Sequence, residues 1–215
     1  TIAAIVLAIG ILFFNYYKKQ TPTHSEKPSI RLGISADNPP FTFVKDGAFV
    51  GFEIDLAHAL SSRMNHTLDI LDLDFGGLIP AVKNDIIDLA IAGFNITEER
   101  KKNIAFSDNY YTGETGVISN QAFSSPAELA HTKIGVQHGS VWEAEAKKIA
   151  ATYEGIEVIG FHRINQIVQE LEQKTINAIL IDTPVARQIT QSHPKFIVST
   201  LASLNEEQGM GVIFK

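Results

Sequence analysis

The chain of 215 residues contains no cysteine, two methionines and one tryptophan. Without a thiol there is no disulfide, no thiolate metal site and no cysteine nucleophile. Positive charge is also in short supply: 18 Lys and Arg stand against 24 Asp and Glu, and no basic stripe runs along the chain. A net charge of −6 argues against a nucleic-acid surface. The seven histidines fall in no H-E-x-x-H or comparable spacing, so the sequence offers no metal site. Walker A, G-x-G-x-x-G and G-x-S-x-G patterns are missing as well, and no cofactor is implied. Long apolar runs are absent with one exception, Ile2–Phe14, IAAIVLAIGILFF, which is followed by Asn15-Tyr16-Tyr17-Lys18-Lys19. It is short for a membrane-spanning helix and long enough for the core of an export signal. No Ala-x-Ala site follows it. Residues 1–19 therefore read as a signal or an uncleaved anchor, although Lys18 and Lys19 sit on the exported side, against the positive-inside tendency. Residues 20–28, QTPTHSEKP, are polar and aperiodic and read as a linker.

What remains has ordinary globular composition, 45% hydrophobic and 20% charged, and alternates strand with helix. Strands are expected at Ile30–Ile34, Leu68–Leu73 and Ile87–Ala92, with helices at Phe52–Met64 and Leu78–Asn84. After a Gly-containing stretch at Thr112–Asn120, a second series follows. It has strands at Lys133–Val136, Ile156–Ile159, Ala178–Ile181 and Phe196–Val198, separated by helices at Val141–Ala151, Asn165–Lys174 and Pro184–Gln191. The two series share order and spacing. They predict an α/β chain of two similar lobes, with mostly parallel sheets covered by helices on both faces. Lobe 1 spans 29–115 and is rejoined by 201–215; lobe 2 spans 116–200.

In open α/β sheets ligands sit beyond the carboxyl ends of strands. Three such ends stand out. The first, Ala92-Gly93-Phe94-Asn95, leads to Thr97, a good N-cap, and to Glu98 and Glu99, which suit a helix N-terminus. Arg100 falls in the same first turn, where a cation is mildly disfavoured. It is either half of a surface ion pair or a receptor for an anion. At the second end, Gln137-His138-Gly139-Ser140, the run Ser140-Val141-Trp142-Glu143 is an S-x-x-E capping box. It serves helix initiation, or it aims N–H groups at a carboxylate or phosphate. The third is Asp182-Thr183-Pro184, with proline suited to the first helical position. Asp182 is either a plain N-cap or an acceptor for an ammonium. Arg100 and Asp182 on opposite lobes could hold the two ends of a zwitterion. Phe75, in DFGGLIP, is core or a ligand cover, and Trp142 is equally two-sided.

At these residues the sequence resembles the periplasmic amino-acid-binding proteins of polar amino-acid ABC importers, solute-binding protein family 3. The segment Gly76–Gly113, GGLIPAVKNDIIDLAIAGFNITEERKKNIAFSDNYYTG, looks most like a glutamine-binding protein. GISADNPPFTF (Gly33–Phe43), GFEIDLAHAL (Gly51–Leu60), IGVQHGSVWEAEA (Ile134–Ala146) and AILIDTP (Ala178–Pro184) follow in the family's order. The resemblance implies the two-lobed type II binding-protein fold, hinged by two strands and closing as a monomer over one L-amino acid, in the periplasm. The partner would be an ABC permease in the membrane. By position, Arg100 would clasp the α-carboxylate in a bidentate pair, helped by Ser140 and the Gly139 turn. Asp182, the backbone around Gly93 and Asn95 would take the α-ammonium, and Phe75 would cover the side chain. Ser35 stands where many relatives carry an acid, and Asn38 where an aromatic often closes the pocket. With Gln137 these are neutral, so the expected ligand is polar and uncharged, glutamine ahead of arginine or lysine. The family also continues past GMGVIFK with helices on lobe 1, whereas this sequence stops at Lys215, so a fragment is expected.

Two other classes share such a fold. A cyclohexadienyl dehydratase would need a general acid in the cleft, with Asp182 and Glu114 as candidates that look better suited to binding. A sensor input domain would need an output domain beyond Lys215. If residues 1–17 remain as a tether, N-terminal sequencing of protein from cells should begin at or before Thr1. A mature start within residues 20–28 would exclude the tether and leave export intact.

Overall fold

The computed structural model describes residues 27–201 and 208–215; the apolar segment 2–14 and most of the linker lie outside them. Among the described residues no helix is long and apolar enough to cross a membrane. Two five-stranded sheets organise the chain. The first begins with β1 (Ser29–Ile34), whose Leu32 and Ile34 are fully buried. A small antiparallel ribbon comes next, β2 (Asp37–Asn38), β3 (Thr42–Lys45) and β4 (Ala48–Val50). Then come α1 (Phe52–Arg63), β5 (Thr67–Asp72), α2 (Phe75–Lys83), β6 (Leu89–Ala90), the single-turn α3 (Glu98–Lys101) and β7 (Ala105–Phe106). β1 pairs in parallel with β5 and β6.

The apolar run ending at Ala92 was expected to be one strand from Ile87. Only Leu89–Ala90 joins the ladder. Asp85 turns the chain at φ 57°, leaving Ile86 54% exposed. Asp88 takes the Arg31 guanidinium at 2.5 Å. Ile87 and Ile91 nevertheless reach the core, so the run holds the sheet by packing more than by pairing.

The chain leaves this sheet through β8 (Tyr111–Gly113) and enters the second at β9 (Thr115–Ser119). There follow β10 (Lys133–Gln137), α4 (Val141–Thr152), β11 (Glu157–Phe161), α5 (Ile164–Glu172), β12 (Ala178–Asp182), α6 (Thr183–Ser192) and β13 (Ile197–Ser199). β11, β10 and β12 are parallel, while β9 and β13 run antiparallel to their neighbours. Apolar clusters cover both faces: Ile167, Leu171 and Ile189 on one, Trp142, Ala146 and Ile149 on the other. The chain returns through β14 (Gln208–Met210), which pairs antiparallel with β8 to make a two-stranded link. It ends in β15 (Ile213–Phe214), inserted in the first sheet between β6 and β7. The sheet orders are β5-β1-β6-β15-β7 and β11-β10-β12-β9-β13.

The start of α1 is held by the loop that precedes it. Its first N–H groups, on Phe52 and Glu53, donate to the carbonyls of Pro40 and Phe41 at 3.2 and 2.9 Å, which satisfies helix-end donors from a loop. For that loop to lie so close, Gly51 adopts φ 121°, and a Cβ there would stand 2.3 Å from the Phe41 oxygen. Gly51→Ala is therefore expected to lower stability by about 1–3 kcal/mol or more through backbone strain. A urea unfolding midpoint equal to the parent's would show that the loop can yield.

Candidate functional site

Between the two sheets lies a narrow cavity of ≈ 20 Å³. That is room for about one water molecule, so any larger occupant needs the sheets to part. Asn38, Phe75, Gly93 and Asn95 line it from the first sheet, and Gln137, Ser140 and Asp182 from the second. Trp142 and Ile164, not assigned from sequence, line it too. Two named residues, Arg100 and Gly139, instead line the adjoining groove between α2, α3 and α4. Ser35 is buried but does not reach the cavity; its hydroxyl donates to Asp37 at 3.2 Å.

Arg100 is the cation of this region. Thr97 caps α3 by accepting from the Arg100 N–H at 3.1 Å, which fixes where the side chain begins. The guanidinium then crosses the cleft. Nη1 donates to the Asn95 carbonyl and Nη2 to the Gly139 carbonyl of the opposite sheet, both at 2.8 Å. It also lies 5.8 and 5.6 Å from the ring centroids of Phe75 and Phe94, which stack on each other at 4.6 Å. No carboxylate within the described residues ion-pairs with it, so the surface ion pair considered from sequence is not what the structure shows. Burial pulls its pKa down to about 10, against the opposing pull of Glu99, and it stays charged at neutral pH. A planar fork with two of five donors on carbonyls is ready for a carboxylate.

Asp182 answers it from the other sheet. It stands at the N-cap position of α6, yet its side chain makes no capping bond. Its Oδ1 is buried without a partner, and the Trp142 side chain donates to the carboxyl. Burial first, and the nearby Glu53 charge second, push its pKa up to about 8. Plain N-capping does not account for it.

Other residues serve differently from their expected parts. The Ser140 hydroxyl donates to the Gln137 carbonyl and accepts the Glu143 N–H, while Glu143 takes the Gly139 N–H at 2.8 Å. Both halves of this capping arrangement are thus spent on starting α4. Gly93, at φ 65°, gives its N–H to Glu53 at 2.6 Å, leaving only its carbonyl for a ligand. The orphan atom of Asn95 is Nδ2, a donor, which suits a carboxylate or carbonyl better than an ammonium. Gln137 donates weakly to the His162 carbonyl at 3.3 Å.

Sequence reasoning missed the second cross-cleft contact. Arg163 donates from Nε to Asp74 at 2.7 Å and from Nη1 to Asp72 at 2.8 Å. Beside it the first N–H of α5, on Ile164, reaches Asp37 at 2.5 Å. Asp72 and Asp74 end and follow β5, and a strand-end acid pair facing an arginine just before a helix was the available signal. Glu53 was missed also, hidden in an amphipathic helix pattern.

A profile of bacterial extracellular solute-binding proteins, family 3, matches residues 30–180. The arginine-binding extracellular protein ArtP of Bacillus subtilis (strain 168) is 32% identical over 198 residues, covering 90% of this chain and 76% of that protein. The solved substrate-binding protein of an amino acid ABC transporter superposes with TM-score 0.81 at 34% identity, over 86% of this chain and 84% of that one. An ancestral arginine-binding protein bound to arginine gives TM-score 0.81 at 32% identity, over 88% and 85%. Bound to glutamine, it gives 0.81 at 33%, over 88% and 84%.

An acid whose pKa rises on folding leaves the folded chain holding a proton that the unfolded chain has lost. Its contribution to stability is complete below the unfolded value near 3.8 and is lost as pH rises toward about 8. Asp182→Asn removes that loss. In melting curves the variant should match the parent near pH 4 and exceed it increasingly up to pH 8.5. A constant gap would mean that Asp182 ionises freely in the fold.

Proposed function

The chain belongs to the bacterial extracellular solute-binding proteins of family 3, and from that we propose that it captures a free L-amino acid between its two lobes and hands it to an ABC permease. The observation that carries this reading is the pair Arg100 and Asp182: buried groups of opposite sign, on opposite sides of one cleft, neither answered by an opposite charge. A zwitterion answers both. Arg100 holds the α-carboxylate, exchanging its two carbonyl acceptors for a charged one, and Asn95 Nδ2 adds a donor at the same end. Asp182 Oδ1 and the Gly93 carbonyl take the α-ammonium. Phe75, stacked on Phe94, provides a flat apolar wall for the ligand's stem. Binding and release make and break no covalent bond, and ligand passage relies on the β8–β14 link as a hinge.

The neutral residues Asn38 and Gln137 favour glutamine, as the sequence suggested. Ser35, however, turns away to Asp37, and the far end beyond Ile164 carries Asp37, Asp72 and Asp74 against the single Arg163. That net negative charge favours a side chain ending in a guanidinium, so arginine stands first and glutamine second. The named ligands of the relatives lean the same way.

Calorimetry with arginine and glutamine tests the ligand class. Arg100→Ala should cost about 2–5 kcal/mol, roughly 30- to 4000-fold in affinity, with the melting temperature little changed. Arg100→Lys should also bind poorly, because an ammonium lacks the bidentate fork. Affinity within a few-fold of the parent in both variants would remove Arg100 from the site.

A further inference from the structure

Two carboxylates are buried where the cleft meets the hinge, one from each lobe. Glu53 of α1 is 1% exposed and Asp182 at the end of β12 is 5% exposed. The charge on Glu53 is felt at Asp182 as repulsion. Among the described residues, no lysine, arginine or histidine forms an ion pair with either. Their hydrogen bonds differ in kind. Glu53 accepts from the Thr42 hydroxyl at 2.6 Å, the Gly93 N–H at 2.6 Å and the Tyr110 hydroxyl at 2.5 Å. Three donors, one of them an obligatory backbone N–H, suit the ionised form. Asp182 has the Trp142 side chain alone as donor, and an orphan Oδ1. Tyr110, the other titratable group at this point, is held neutral by burial and by both carboxylates.

Closure therefore sets a second carboxylate against one that is already ionised, with no protein cation to separate them. Either a proton on Asp182 or a positive charge on the ligand relieves the conflict. Resting on the amino-acid reading, we propose that Glu53, without touching the ligand, is the specificity-determining residue for its α-ammonium. The fixed charge of Glu53 makes the closed cleft demand a positive charge at Asp182, and so disfavours acids of the same shape that lack the amine. The lift of the Asp182 pKa toward 8 agrees with this arrangement, and the buried, unpartnered Oδ1 marks where the positive charge goes.

Glu53→Gln is a clean probe. The amide oxygen can still accept from Gly93 and Tyr110, and the amide nitrogen can donate to Thr42, so the charge goes and the three contacts remain. The ligands are arginine against 5-guanidinopentanoate and glutamine against glutaramate, titrated by calorimetry from pH 6 to 8.5. In the parent the amino acids should bind with nearly constant affinity. The des-amino acids should bind more weakly and gain up to about tenfold per pH unit below about pH 8, because they bind with a proton on Asp182. In Glu53→Gln the preference for the amine should shrink by about tenfold or more, the worth of one pKa unit of charge interaction. An unchanged preference in the variant, at an unchanged melting temperature, overturns the proposal. So does a parent whose pH dependence is the same for both members of a pair, a comparison that decides the matter even if the variant fails to fold. Binding of none of the four overturns the amino-acid reading as well, whereas amine binding without the pH difference overturns this proposal alone.

Discussion

The carboxylate of Glu53 ties together three stretches of chain that folding delivers separately. Thr42 comes from the small ribbon after β1, Gly93 from the exit of β6, and Tyr110 from the approach to the hinge. A buried carboxylate is tolerated only when its acceptor sites are filled, so these three must meet where they do. Gly51 makes this possible by letting the Pro40–Phe41 carbonyls cap the helix that carries Glu53. The carbonyl of Gly93, the reach of Asn95 and the setting of the hinge strand all depend on that one knot.

The two arginines that cross the cleft work under different terms. Arg163 is answered by Asp72 and Asp74 on groups a quarter to a half exposed, where an ion pair contributes little to stability and mainly fixes alignment. Arg100 is buried and answered only by carbonyls and ring faces. The first contact brings the lobes into register; the second keeps a strong interaction in reserve for something negatively charged. Separating the two tasks at opposite ends of the cleft lets closure and recognition vary independently.

Much of the architecture could be read from periodicity, because buried strands and amphipathic helices dictate apolar spacing that survives in the sequence. Val141–Thr152 and Ala178–Asp182 lie almost where that spacing puts them. Short pairings could not be read: β2, β7, β8 and β15 have two or three residues each, too few to show a period, and their place is set by distant partners. In the site, Arg100 and Asp182 were visible because each sits awkwardly for its local helix. Ser140 sits comfortably in its helix start, and the structure spends it there. Glu53 left no local trace at all, since a glutamate in the first turn of a helix is where one is ordinarily found. Its importance arises only when residues 40 and 57 positions away in the chain fold against it.

The order of strands in the first sheet also bears on how the chain can fold as it is made. The second sheet is drawn from one unbroken stretch, Thr115 to Ser199, and can assemble as soon as that stretch is available. The first cannot. Among the described residues β15, near the end of the chain, is the only neighbour that β7 has, and it also closes the open side of β6. Until residues 213–214 arrive, β6 presents an unpaired edge and β7 has nothing to join. Contacts over such separations are slow to form, because the loop entropy is lost before the pairing is gained. The lobe synthesised first is thus the last to be finished, and it waits with an exposed strand edge of the kind on which chains pair wrongly.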